Sequence, residues 1–156
     1  MKNHRWELLT AGDMMKADII SVQKHATCQD IAKVLVDCAI SGVAVRDLDG
    51  EIVGVISWRD VMESDLEAAT PFRTAHEYFA SGGLFSPLGP TRRATPLAPA
   101  ESIMNRELLS IESTAGLREV AARMSEYRVH RLFVTDKDEA IVGILSTFDV
   151  IDALCA

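Results

Sequence analysis

Apolar and polar positions run through the same pattern twice along this chain. In the first pass a short apolar run, Asp18-Ile19-Ile20-Ser21-Val22, is followed by Thr27 and Asp30, whose T-x-x-D spacing has the form of a capping box and predicts a helix start. Ile31, Val34, Leu35 and Cys38 then fall at i, i+3, i+4 and i+7, one apolar helical face that a sheet can cover, and Gly42 is expected to end the helix. Two β-branched runs, Val43-Ala44-Val45 and Ile52-Val53-Gly54-Val55-Ile56, flank Asp47-Leu48-Asp49-Gly50, whose Asp-Gly pair predicts an antiparallel hairpin. The second pass has Leu117, Val120, Ala121 and Met124 on its helix face. Leu132-Phe133-Val134 then opposes Ile141-Val142-Gly143-Ile144-Leu145 across Asp136-Lys137-Asp138-Glu139. A second helix follows each hairpin, so each pass reads β-α-β-β-α.

The stretch from Met14 to Met62 aligns without a gap on the stretch from Ile103 to Ile151. The period is too long for a solenoid unit, and a different kind of sequence separates the copies. The expected fold is α/β (α+β): two equivalent β-α-β-β-α repeats packed face to face as a pseudo-twofold pair. The expected boundaries are 8–65 and 99–156, with a Pro/Gly-rich linker or lid at 66–98. All five prolines (Pro71, Pro87, Pro90, Pro96, Pro99) lie in or just beyond that insertion, which therefore holds no long helix. Thr74 to Ala80 has the makings of one or two helical turns. A mobile linker and an ordered lid carrying Tyr78, Phe79 or Phe85 both fit its length.

With 48% apolar residues the chain can build an ordinary core. Its 16 Lys and Arg against 23 Asp and Glu give a net charge of -7, which argues against nucleic acid as a partner because the average field repels phosphates. No apolar run approaches the roughly 20 residues of a membrane span, and the opening residues lack a signal-peptide core, so a cytoplasmic protein is expected. Cys28, Cys38 and Cys155 have no C-x-x-C spacing and read as free thiols, Cys38 buried on its helical stripe and Cys155 near the surface. There is no P-loop, G-x-S-x-G or H-E-x-x-H, and His4, His25, His76 and His130 show no ligand spacing with the cysteines. The expectation is neither an enzyme nor a metal protein, with no catalytic cofactor.

Both hairpins end alike, in Val53-Gly54-Val55-Ile56-Ser57-Trp58-Arg59-Asp60-Val61 and Val142-Gly143-Ile144-Leu145-Ser146-Thr147-Phe148-Asp149-Val150. Ser57-x-x-Asp60 and Ser146-x-x-Asp149 can be capping boxes and nothing more. The same strand-to-helix junction also offers nucleotide-handling parts: a carboxylate whose two oxygens can accept from a ribose cis-diol, and a hydroxyl and helix N-terminus that suit a phosphate.

These residues resemble the cystathionine-β-synthase (CBS) domain, a family whose members occur in tandem as Bateman modules. The family strand ends in Gly-h-x-[Ser/Thr]-x-x-Asp, matched at Gly54 to Asp60 and at Gly143 to Asp149. Its opening pattern is matched by Asp13-Met14-Met15 through Ile19-Ile20-Ser21, and by Ser102-Ile103-Met104 through Leu108-Leu109-Ser110. The resemblance implies a regulatory module that binds AMP, ADP or ATP, or alternatively S-adenosylmethionine or NAD, in clefts between the two domains. It implies ribose binding by Asp60 and Asp149, and ribose or phosphate binding by Ser57 and Ser146. Adenine would be held by backbone groups of Ile19, Ile20, Ser21, Leu108, Leu109 and Ser110, with Val43 and Leu132 against the ring. It further implies a homodimer formed through CBS helices, and a regulated enzyme or transporter on a separate chain.

His130 and Arg131 resemble the phosphate-binding segment of nucleotide-sensing members, whereas the first repeat has Ser41 and Gly42 there. Two unequal sites are expected, the second more cationic. Arg59 against Phe148 is a further difference, Trp58 reads equally as a base-stacking or a core aromatic, and Arg92-Arg93 reads as solvated or phosphate-reaching. The rival reading is an interaction module in which the Ser-x-x-Asp pairs only cap helices.

Overall fold

The computed structural model describes residues 5–69 and 98–155, with side chains over 6–64 and 98–155. In chain order the elements are a 3-10 turn at Arg5–Leu8, α1 (Ala11–Met14), β1 (Ser21–Gln23), α2 (Cys28–Asp37), β2 (Gly42–Arg46), β3 (Ile52–Ser57), α3 (Trp58–Ala69), α4 (Ala100–Ile103), β4 (Ser110–Glu112), α5 (Leu117–Tyr127), β5 (Arg131–Thr135), β6 (Ile141–Ser146) and α6 (Thr147–Cys155). The expected α/β repeats are present, each with a three-stranded sheet. β1 runs parallel to β2 and β2 antiparallel to β3; β4, β5 and β6 repeat this arrangement. The parallel pair needs a crossover, and α2 and α5 provide it on the apolar face that the i, i+3, i+4 spacing sets.

Alternation along the strands sends every second residue into that helix-covered core. Val43, Val45 and Ile56 join Ile31 and Leu35 of α2 in one core, while Leu132, Val134 and Leu145 join Val120 and Met124 of α5 in the other. Each such buried side chain stabilises by about 1.5–3 kcal/mol relative to exposure.

The chain divides into two compact units, but they are not the two repeats of the sequence. Ile20–Arg106 forms one, here the first-repeat unit; Met1–Ile19 with Glu107–Ala156 forms the other, the second-repeat unit. Each repeat has given its opening segment to the other unit. In the second-repeat unit, the Ala11 and Gly12 amides donate to the carbonyls of Ala115 and Ser113 (2.7 and 2.8 Å), and Lys16 exchanges two main-chain hydrogen bonds with Ile144 of β6 (2.9 and 3.0 Å). In the first-repeat unit, the Ala100 and Glu101 amides donate to Ala26 and Lys24 (2.8 and 2.9 Å), and Asn105 exchanges the corresponding pair with Val55 of β3 (2.9 and 3.0 Å). The outer edges of β3 and β6 thereby gain a partner for polar groups that burial would otherwise leave unpaired.

This exchange explains the glycine of the repeated motif. A Cβ on Gly54 would collide with the Met104 side chain, and one on Gly143 would collide with Met15 Sδ and lie 3.0 Å from the Lys16 carbonyl oxygen. The opening segments lie against β3 and β6 only because no side chain stands there.

Several expectations change. α2 stops at Asp37 rather than at Gly42, because Ala39 takes the left-handed turn (φ 51°) and Gly42 opens β2. Cys38 is consequently exposed beyond the helix, not buried on its stripe; Cys155 is exposed as expected and Cys28 is buried. The hairpins close by longer loops than an Asp-Gly turn, with Asp47 Oδ1 accepting from the Asp49 and Glu51 amides and Asp136 Oδ1 from those of Asp138 and Ala140. The expected turns at Thr74 to Ala80, the candidate lid aromatics Tyr78, Phe79 and Phe85, and Arg92-Arg93 lie outside the described residues.

Candidate ligand site

Capping boxes form at Thr10/Asp13, Thr27/Asp30, Ser57/Asp60 and Ser146/Asp149, so capping by itself marks nothing out. Their surroundings do. Asp13 and Asp30 are exposed, whereas Asp60 and Asp149 are half-buried where β3 runs into α3 and β6 into α6. At Asp60, Oδ2 accepts from the Ser57 amide (2.6 Å) and from Ser57 Oγ (2.7 Å), while the Asp60 amide donates back to Ser57 Oγ (3.4 Å). At Asp149 the matching distances from Ser146 are 2.7, 2.5 and 3.3 Å.

One carboxylate oxygen is thus committed to the cap in each repeat, and Oδ1 remains. Asp149 Oδ1 lies 3.4 Å from Lys16 Nζ. Burial opposes the charge on Asp149, but the hydrogen bonds from Ser146 and the Lys16 ammonium together outweigh it and hold the carboxyl below the usual aspartate range. Each Ser hydroxyl hydrogen is spent on its own Asp, so Ser57 and Ser146 are set to accept from a ribose hydroxyl rather than to donate to a phosphate.

Strand register brings Arg131 in. It lies directly across from Ser146, where the first repeat has Gly42 across from Ser57, and opposite residues of an antiparallel pair share a face. Burial draws its guanidinium below the usual arginine range, yet arginine stays charged in proteins, so a sheltered cation stands beside the second Ser-x-x-Asp box. His130 does not join it. Its carbonyl accepts from the Thr147 amide (3.0 Å), and the residue lines a separate groove of about 480 Å³ with Met124, Val129 and Thr147.

The expected adenine contacts are redistributed. Val43 and Leu132 are each 1% exposed and packed in their helix-facing cores, so their side chains offer a ring no surface. The alternation that makes them core residues turns them away from Ser57 and Ser146. The Ile20 carbonyl accepts from the Ala44 amide and the Leu109 carbonyl from the Phe133 amide, so both oxygens already serve their sheets. Ser21 Oγ accepts from Arg46 Nε (3.0 Å), and Ser110 lines a different cavity, of about 750 Å³, toward the hairpin end of its sheet. Trp58 is half-buried against the first-repeat core.

Sequence reasoning missed Lys16. It lies far from Asp149 in the chain, and only the exchange of opening segments brings the two together. The alignment did carry one sign, since Asn105 stands at the corresponding position.

Known proteins share this fold. The crystal structure of CBSX2 in complex with AMP superposes with a TM-score of 0.68 at 22% identity, covering 94% of this chain and 96% of that one. The cytosolic domain of the Mg2+ channel MgtE in complex with ATP gives 0.62 at 24%, covering 95% of this chain and 50% of the other. The CBS domain pair of MJ0100 with 5'-methylthioadenosine and S-adenosyl-L-methionine gives 0.64 at 19%, covering 93% and 94%. Among curated sequences, the chloroplastic CBS domain-containing protein CBSX1 of Arabidopsis thaliana is 27% identical over 92% of this chain and 63% of its own length. The chain spans less still of two longer relatives, 23% of a homoserine O-acetyltransferase from Methanosalsum zhilinae and 28% of the magnesium transporter MgtE from Thermus thermophilus. Among the described residues no helix is long and apolar enough to cross a membrane. The CBS domain model matches residues 11–67 and again 100–156, and with both copies of its Ser-x-x-Asp junction in place the chain belongs to the CBS domain family.

Proposed function

We propose that this chain is a non-catalytic regulatory module of the cytoplasm that binds adenosine-containing ligands reversibly, with Asp60 and Asp149 accepting from ribose hydroxyls. The observation that carries the reading is the pair of half-buried carboxylates at the strand-to-helix junctions, each fixed through Oδ2 with Oδ1 outside the cap. A carboxylate half withdrawn from water is costly unless hydrogen bonds compensate, and a cis-diol supplies them. AMP, ATP, 5'-methylthioadenosine and S-adenosylmethionine, the ligands of the similar structures, have adenosine in common. Binding regulates a partner enzyme or transporter to the extent that the ligand prefers one arrangement of the module over another.

A thermal-shift panel of AMP, ADP, ATP, S-adenosylmethionine and NADH, with guanosine nucleotides as controls, tests this directly. An adenosine ligand at about 100 times its dissociation constant is expected to stabilise by about 2.7 kcal/mol. Asp60→Ala and Asp149→Ala should each weaken it by about 1.5–3 kcal/mol. Unchanged affinity with both replaced removes the ribose assignment, and equal response to guanosine ligands removes the adenosine one.

A second reading, self-association, has its own support. Phe148, Ile151 and Leu154 leave 76%, 45% and 51% of their surface exposed along one side of α6, whereas α3 carries the charged Arg59 in place of Phe148. We infer a homodimer formed through this helix. Phe148→Glu with Ile151→Glu should convert it to monomer in analytical ultracentrifugation, and a monomeric starting protein would leave the apolar face to a different partner.

A further inference from the structure

We propose that Lys16 makes the second-repeat site selective for adenosine ligands that carry a phosphate over uncharged adenosine. The inference rests on the ribose role of Asp149 given above and adds the charge class of the ligand. Lys16 is held in place by its main chain, through two hydrogen bonds to Ile144, and the bare Cα of Gly143 lets that segment approach. Its ammonium lies 3.4 Å from Asp149 Oδ1, the one oxygen the cap leaves over. The carboxylate side chain is 10% exposed and the lysine side chain 71%, so the anion is sheltered while the cation sits on a flexible stem in water.

A ribose hydroxyl that donates to Asp149 Oδ1 competes with this ammonium. An uncharged ligand takes the carboxylate and leaves Lys16 without its counter-ion. A ligand with a phosphate offers the displaced ammonium a new anion within reach of its stem, beside the sheltered Arg131, so its binding preserves the charge pairing. The first-repeat unit has neither cation at these positions: Asn105 makes the corresponding main-chain bridge and Gly42 stands where Arg131 does. Discrimination through this lysine is therefore a property of one site of the two.

The test is a residue-resolved NMR titration of the full chain with AMP and, separately, adenosine. It is read at the Ser146 and Asp149 amides for the second-repeat site and at Ser57 and Asp60 for the first. AMP should bind about tenfold more tightly than adenosine at Ser146 and Asp149, a preference that shrinks with salt. Lys16→Met and Lys16→Gln should abolish most of it, Lys16→Arg should keep it, and the ratio at Ser57 and Asp60 should not move. The main-chain bridge is independent of the side chain, and thermal melting checks that the variants fold. An unchanged AMP-to-adenosine ratio at Ser146 and Asp149 in both neutral variants overturns the role of Lys16 while leaving the adenosine reading standing. No response to either ligand at any of the four amides overturns both.

Discussion

The first-repeat and second-repeat units agree down to individual hydrogen bonds and differ in what surrounds them. Both have the cap on a half-buried Asp, the two-bond bridge from a borrowed opening segment, and the glycine beneath it. Yet where one has Asn105, Gly42 and Arg59, the other has Lys16, Arg131 and Phe148. Main-chain geometry constrains the first set, since a lost cap, bridge or glycine strains the fold of its unit. The side chains of the second set take no part in those main-chain contacts and are free to differ. Where the units differ is therefore where two sites of one fold can acquire separate tasks.

The largest expected effect breaks the assumption that the corresponding positions Val43 and Leu132 face a ligand. Leu132→Ala should destabilise by about 2–5 kcal/mol in urea unfolding, with Val43→Ala costing less because fewer buried carbons are lost. A change near zero would return Leu132 to the ligand surface. Gly143→Ala comes next, at about 1–3 kcal/mol, and should exceed Gly54→Ala. The new Cβ meets the Lys16 main chain at Gly143, but only the flexible Met104 side chain at Gly54. Equal melting temperatures for the two variants would mean that both segments yield alike.

Asp149→Ala should cost about 1 kcal/mol of stability at pH 7 through loss of the cap and the Lys16 pair. Its folded carboxyl titrates below the unfolded value of 3.8, so this contribution is complete above that value and is lost as pH falls through the lower folded one. Urea unfolding at pH 7 and pH 3 should show the variant's deficit shrinking at the lower pH. The smallest effect concerns the helix ends, where Ala39 (φ 51°) and Arg128 (φ 54°) both adopt left-handed backbone. Ala39→Gly should stabilise by up to about 1 kcal/mol by relieving that strain. A fall in melting temperature would show that the flexibility gained in the unfolded chain outweighs it.

Much of the fold was legible. The Thr27/Asp30 box starts α2 where its spacing says, the i, i+4 pair Ile31 and Leu35 is buried, and both β-branched runs form the hairpins. What misled was local propensity at positions decided by packing. Gly42 looked like a helix stop, but the helix has already ended at Asp37, Ala39 makes the left-handed turn, and the glycine is used in β2 opposite Ser57. His130 and Arg131 looked like one phosphate-binding pair, but the groove beside α5 takes the first and the sheet face across from Ser146 takes the second.

The sequence by itself determined the duplication, the β-α-β-β-α order and the two Ser-x-x-Asp boxes, because each depends on residues a few positions apart, within reach of one helix turn or one hairpin. Only the tertiary structure decided which opening segment closes which sheet, and hence that Lys16 and not Asn105 stands beside Asp149. The physical reason is that a sheet edge accepts any main chain that fits against its glycine. Both opening segments carry a methionine for that contact, and local sequence does not choose between them.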